Sequence, residues 1–249
     1  MGWVLAEAIQ GSTASNIGRE TNNFSRIHFV ILAFAFFGHA IAALFYAVII
    51  NNPVGARAAY FGLKLLVNVI PLIWFFCIDR QKPRLQSFQS AACFTGFLSG
   101  ILIASSLVFL YEFVLAKYVK IDGLYGKASV YGLRDHFFWF AAFLCVVNSG
   151  MEEYYWRWFL FGKFRQLMPV PLATVLSSIS FTLHHIVVLS VYIPDLWMVV
   201  LFNLGVFTGG VVWAGLYQKY SNFWAIWLSH LIVDVGIMVI VYQILFPLA

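Results

Sequence analysis

Charge is what this chain has least of. Only 10% of its 249 residues are Asp, Glu, Lys or Arg, and 62% are hydrophobic. Soluble domains carry roughly 25% charged residues and about 45–50% apolar ones, so an ordinary water-facing surface is excluded. A disordered chain is excluded for the same reason, because disorder needs polarity and charge. Cysteine is scarce as well. Cys77, Cys93 and Cys145 each lie in or beside an apolar run, with no CxxC spacing. That argues against a disulfide scaffold or a cysteine-ligated metal, and the three read as small buried hydrophobes. The net charge of +5 falls mostly in short loops and forms no basic stripe, so nucleic acid is not an expected partner. No period of 20–50 residues recurs.

Long apolar runs dominate instead. A helix needs about 20 apolar residues to cross a bilayer. About seven runs qualify, near Ile27–Ile50, Tyr60–Ile78, Ala91–Ala116, His136–Gly162, Pro171–Val191, Leu196–Tyr217 and Phe223–Leu245. Aromatic residues, 19% of the chain, suit lipid-facing helices with interfacial belts. The expected fold is all-α, a polytopic transmembrane bundle of about seven spans. Residues 1–25 read as a polar lead-in and 26–249 as a single transmembrane domain. The lead-in shows no signal-peptide pattern, and Ala6 stands where a myristoylation motif needs Ser or Thr. With the N-terminus inside, Arg19, Arg26, Arg80, Lys82, Arg84, Lys163, Arg165 and Lys219 share the cytoplasmic side. Arg57, Lys117, Lys120, Lys127 and Arg134 lie opposite, so the balance favours that orientation. A multi-pass protein of the bacterial cytoplasmic (inner) membrane is the expected setting. The aromatic loop Lys117–Trp139 is expected to lie on the membrane surface and guide substrate.

Ionisable residues inside spans carry the functional information, since a charge at the bilayer centre costs at least ~2.5–3.5 kcal/mol. His28, Lys64 and Glu112 sit near span ends and are read as reaching the interface. His39 reads as a packing residue, and Gly205-x-x-x-Gly209 with Gly210 as a close-packing surface. Three clusters resist so simple an account. They are Glu152, Glu153 and Arg157 in the fourth span, Phe181, His184 and His185 in the fifth, and His230 and Asp234 in the seventh. At ~1.5 Å of rise per residue, Glu152 lies roughly 15 Å from the side these spans share, Asp234 roughly 16 Å, His230 roughly 10 Å and His185 roughly 21 Å. Carboxylates and imidazoles in one layer of a bundle make a candidate site. Glu153 and Arg157 have ion-pair spacing, whereas Glu152 points elsewhere and is free to meet other helices. One of His184 and His185 is expected to do chemistry and the other to pack. Asp234, four residues after His230, is expected to accept a proton from its ring and fix the tautomer.

The three motifs, Glu152-Glu153-x-x-x-Arg157, Phe181-x-x-x-His185 and His230-x-x-x-Asp234, resemble those of the CPBP family. That family joins the CAAX prenyl proteases of type II (the Rce1-like endopeptidases) to bacteriocin-processing and Abi-type membrane proteins. The resemblance covers roughly Val146–Ile237. It implies an intramembrane, glutamate-dependent endopeptidase acting on a membrane protein, a peptide or a lipidated protein in the lipid bilayer. It implies further that Glu152 and His185 activate water, that His230 and Asp234 line the oxyanion site, and that Glu153 and Arg157 shape the pocket. Asp234 departs from the Asn often found there, and an ionised Asp cannot donate a hydrogen bond. No cofactor is expected, and the resemblance points to a metal-independent mechanism. Motifs of zinc, presenilin-type and serine intramembrane proteases are missing from the sequence. A bacteriocin-immunity or membrane binding module without proteolysis is the alternative, and a proton-relaying transporter is a further one.

Overall fold

The structure, a computed structural model, describes residues 24–45, 53–80, 87–118 and 134–247. The lead-in up to residue 23 and most of the loop expected to guide substrate, 119–133, lie outside the described residues. The described chain is helical and without strands. In order, α1 is Arg26–Leu44, α2 spans 53–78, α3 is Ser90–Leu115 and α4 spans 137–167. They are followed by α5 (Val170–Tyr192), α6 (Leu196–Tyr220) and α7 (Phe223–Leu245). Five of these, α1, α3, α5, α6 and α7, are long and apolar enough to cross a membrane. In α2 the apolar part is the shorter Gly62–Ile78, and α4 is the helix that carries the charged motif.

The place of α4 follows from that composition. A helix that carries charges into a membrane needs other helices around it to pair and enclose them. Tyr155, Trp156, Phe159, Leu160 and Phe161 are accordingly all buried, together with Glu152, Glu153 and Arg157 among them. Over Glu153–Phe161 the backbone takes wider π-helical turns, a local change of register that recurs at functional sites. Lipid-facing surface falls on the outer helices, where Phe34 and Phe37 of α1, Phe94 and Leu102 of α3 and Val200 and Leu204 of α6 are exposed.

Helix directions alternate along the chain, and cross-links at one end fix the register. Trp74 Nε1 donates to Asp79 Oδ1 at the end of α2, and Asp79 pairs with Lys163 near the end of α4. Between α6 and α7, Ser221 adopts a left-handed conformation (φ 46°), the usual way to end a helix. Asn222 then caps α7, its Oδ1 accepting from Ala225 N–H at 3.1 Å while its amide donates to Ser87 O at 3.0 Å.

Lipid offers helices no hydrophobic reason to associate, so close packing of small residues does that work. On α3, Ala92, Gly96, Gly100 and Ala104 recur every four residues and are buried. Ala225, Ser229 and Gly236 of α7 meet the glycines and Ala104 of this stripe. A Cβ on Gly96 would sit 2.1 Å from Ala225 O, and one on Gly100 would sit 2.8 Å from Ser229 O. The close-packing stripe therefore lies on α3 and not on the α6 glycines singled out in the sequence. Gly205 faces open space, Gly209 faces the Trp213 ring of its own helix, and Gly210 alone meets another helix, at Ser178. Gly96→Ala is thus expected to lower the thermal stability and folded yield of detergent-extracted protein sharply, and Gly205→Ala to leave both near wild type. Thermal unfolding followed by size-exclusion fluorescence measures the difference.

Candidate active site

Among the described residues Glu153 is the most enclosed charged group, with 0% of its surface exposed. Its Oε1 meets Arg157 Nη1 at 3.1 Å, one turn along α4, and His230 Nδ1 at 2.7 Å, across on α7. The first contact is an ion pair without the alignment of a hydrogen bond, since neither Nη atom of Arg157 has a hydrogen-bond partner. Aromatic faces cover the guanidinium instead. Its carbon lies 4.3 Å from the Phe181 ring centre and 4.9 Å from that of Trp213. Because a carboxylate only accepts, the 2.7 Å contact places a proton on His230 Nδ1 and turns Nε2 the other way. Stacking on Trp213, with centroids 3.9 Å apart, holds the ring plane. Trp213 Nε1 in turn donates to Ser229 Oγ at 3.1 Å, and Ser229 Oγ bonds Ser99 Oγ on α3 at 2.8 Å.

These contacts correct one expectation. The partner that fixes His230 is Glu153, from another helix, and not Asp234. Asp234 Oδ1 lies 3.6 Å from Nε2, beyond a hydrogen bond. One turn of separation on α7 puts the two side chains on one face but not in bonding distance, and Glu153 arrives with better geometry.

His230 Nε2 faces Glu152 Oε2 at 3.7 Å, and His184 Nε2 faces Glu152 Oε1 at 3.8 Å. His185 completes the group. Glu152, His184 and His185 each offer one oxygen or nitrogen within 4.8 Å of the others. His185 Nδ1 bonds Phe181 O at 2.9 Å, which leaves its Nε2 as the acceptor of a neutral ring. His184 stacks on Trp156, with centroids 4.7 Å apart. Both histidines thus lie beside the carboxylate, although spacing alone suggested that one of them would turn away. His185 and Asp234 are the partly exposed members of the group, whereas Glu152, His184 and His230 are almost fully enclosed. One carboxylate and two imidazoles also equal the three protein ligands of a catalytic zinc site, so this donor set is chemically able to hold a cation.

Sequence reasoning missed two neighbours. Asn148, a turn before Glu152, donates from Nδ2 to Glu152 Oε1 at 2.9 Å, and Lys64 of α2 donates to Asn148 Oδ1 at 2.6 Å. Lys64 therefore turns inward to this polar group and does not reach for the interface. An Asn four residues ahead of an intramembrane acid was the available signal. His39 packs as expected, against Tyr155 and Trp156, with its Nε2 bonded to Asn68 Nδ2 at 3.2 Å.

Residues 134–236 match the family model for type II CAAX prenyl endopeptidases, Rce1-like. That segment is Rce1-like. It spans α4 to most of α7 and contains every motif named above, in agreement with the resemblance read from the sequence. No curated protein and no solved structure matches the chain. The Rce1-like family to which this segment is similar is a protease family, and the apolar helices are those of an integral membrane protein.

Glu153→Ala would strand the Arg157 charge in the core and open the ring of His230. Breaking one side of a buried pair costs about 3–5 kcal/mol. The midpoint of thermal unfolding in detergent is expected to fall by far more for Glu153→Ala than for substitution of a lipid-facing residue such as Phe94→Leu.

Proposed function

We propose that this Rce1-like protein is a glutamate-dependent intramembrane endopeptidase that hydrolyses a peptide bond in a membrane-associated or lipidated substrate. The observation that supports this most is Glu152 itself. It is a buried carboxylate with one oxygen tied to Asn148 and three imidazoles arranged around it, just beyond hydrogen-bond reach.

In this reading Glu152 takes a proton from water while His185 Nε2 orients that water. The water oxygen adds to the scissile carbonyl carbon, and the carbonyl oxygen becomes an oxyanion. His230, held by Glu153 and Trp213, faces the oxyanion with Nε2. To donate there its ring carries both protons, since Nδ1 already donates to Glu153. Glu152 then returns the proton to the amide nitrogen, the C–N bond breaks, and a carboxylic acid and an amine leave. A single oxyanion donor of this kind is worth about 10²–10³ in rate. No metal takes part in this scheme, and Glu153 and Arg157 act by holding the pocket. Substrate enters past Asp234 and His185, and the bacterial inner membrane is the proposed location.

The test compares protein termini in membranes from cells carrying wild-type protein or Glu152→Ala at matched abundance. A small set of defined new termini, present only with wild type and still formed after treatment with EDTA, is the expected result. Identical termini in both membranes would refute proteolysis, and loss of the new termini on chelation would refute the metal-free scheme.

Since Glu153 and not Asp234 fixes His230, the charge on Asp234 is not needed to set the tautomer. Asp234→Asn adds an amide that donates toward the oxyanion, so turnover is expected to stay within about threefold of wild type or to rise. A fall of 10²-fold or more would assign an essential charge to Asp234.

A further inference from the structure

The family-matched segment begins at residue 134, yet the hydrogen bonding around Glu152 does not stop there. Lys64 belongs to α2, 84 residues before its partner Asn148, and its ammonium donates to Asn148 Oδ1 at 2.6 Å. The same amide donates from Nδ2 to Glu152 Oε1 at 2.9 Å. An amide has two inequivalent ends, and an ammonium group only donates. Lys64 therefore anchors the oxygen end of Asn148, while Glu152 accepts from the other. With Lys64 in place the amide oxygen is occupied and the NH₂ must face Glu152. Glu152, which as a carboxylate only accepts, selects the same orientation, so Lys64 adds to it by anchoring the oxygen end and holding the whole amide in place.

The turn of α2 that carries Lys64 is itself fixed. Asn68 Nδ2 donates to Lys64 O at 2.8 Å and bonds His39 Nε2 of α1 at 3.2 Å, and Tyr154 of α4 donates to Asn68 O. The ammonium is thus delivered from a turn held by two other helices.

We propose that Lys64 is a positioning residue for Glu152 and acts through Asn148, which it holds in the one amide orientation that donates to the carboxylate. The inference rests on the peptidase reading given above. Its consequence is that the catalytic geometry of this chain includes a helix outside the Rce1-like segment. The hydrogen bond from the Lys64 ammonium ends on Asn148 and not on a reacting atom, so its effect falls on turnover and not on substrate binding.

The experiment uses the full-length protein in membranes and a membrane-anchored reporter carrying a bond that wild type cleaves in the terminus comparison. Lys64→Met is expected to lower kcat about tenfold with KM within about twofold, and Lys64→Arg to restore most of the loss. Asn148→Asp keeps an oxygen for Lys64, and so keeps the link between α2 and α4, but turns a second oxygen toward Glu152. It is expected to lose at least as much kcat as Lys64→Met. Unchanged kcat in Lys64→Met, a change confined to KM, or full activity in Asn148→Asp would each overturn the proposal and leave a structural link only. Failure of the peptidase reading is distinguishable, because wild type and Glu152→Ala would then treat the reporter alike, and the inference would fall with it.

Discussion

Burial of charge in an apolar bundle is the constraint on which the rest of this structure depends. Glu153 and Arg157 lie on the central helix with essentially no exposure, where an unpaired charge would cost several kcal/mol. Their mutual contact offsets part of that cost. The remainder is met by His230 from α7 and by the faces of Phe181 and Trp213 from α5 and α6. One carboxylate thus forces three other helices to present particular side chains at one depth. The histidine that reaches it is set beside the next residue, Glu152, as a direct result.

The site is held from two sides. On one, the small residues of α3 let α7 approach until Ser99 reaches Ser229, and Ser229 holds the indole that stacks on His230. On the other, α2 supplies Lys64 to Asn148 and so to Glu152. Neither α2 nor α3 lies in the family-matched segment. The motif residues form the acid–imidazole cluster, and the helices before them fix where its side chains point. Between tight packing on one flank and directional hydrogen bonds on the other, His185 and Asp234 are the less buried members of the cluster.

Much of this was legible in the chain. The scarcity of charge and the apolar runs require a helical membrane protein, because lipid leaves backbone groups no partner outside a helix or a closed barrel. Ionisable residues inside those runs then stand out by cost alone. Glu152, Glu153, Arg157, His185, His230 and Asp234 were singled out that way, and helical rise put Glu152, His185, His230 and Asp234 in one layer. The helix wheel also separated Glu153, which pairs with Arg157, from Glu152, which meets other helices.

What only the tertiary structure decided is which of these groups touch. Spacing within a helix fixes a shared face, so it suggested Asp234 as the partner of His230. The bond goes to Glu153 because contact across helices depends on their separation and rotation, which no periodicity records. For the same reason Lys64 looked like a residue near a span end, although it bonds Asn148 in the interior, and the α6 glycines looked like the packing surface that α3 in fact provides. Sequence by itself determined the class of fold and the chemistry that had to be buried. Tertiary packing chose the partners, since a hydrogen bond is made or lost over about half an ångström and a helical pattern is blind at that scale.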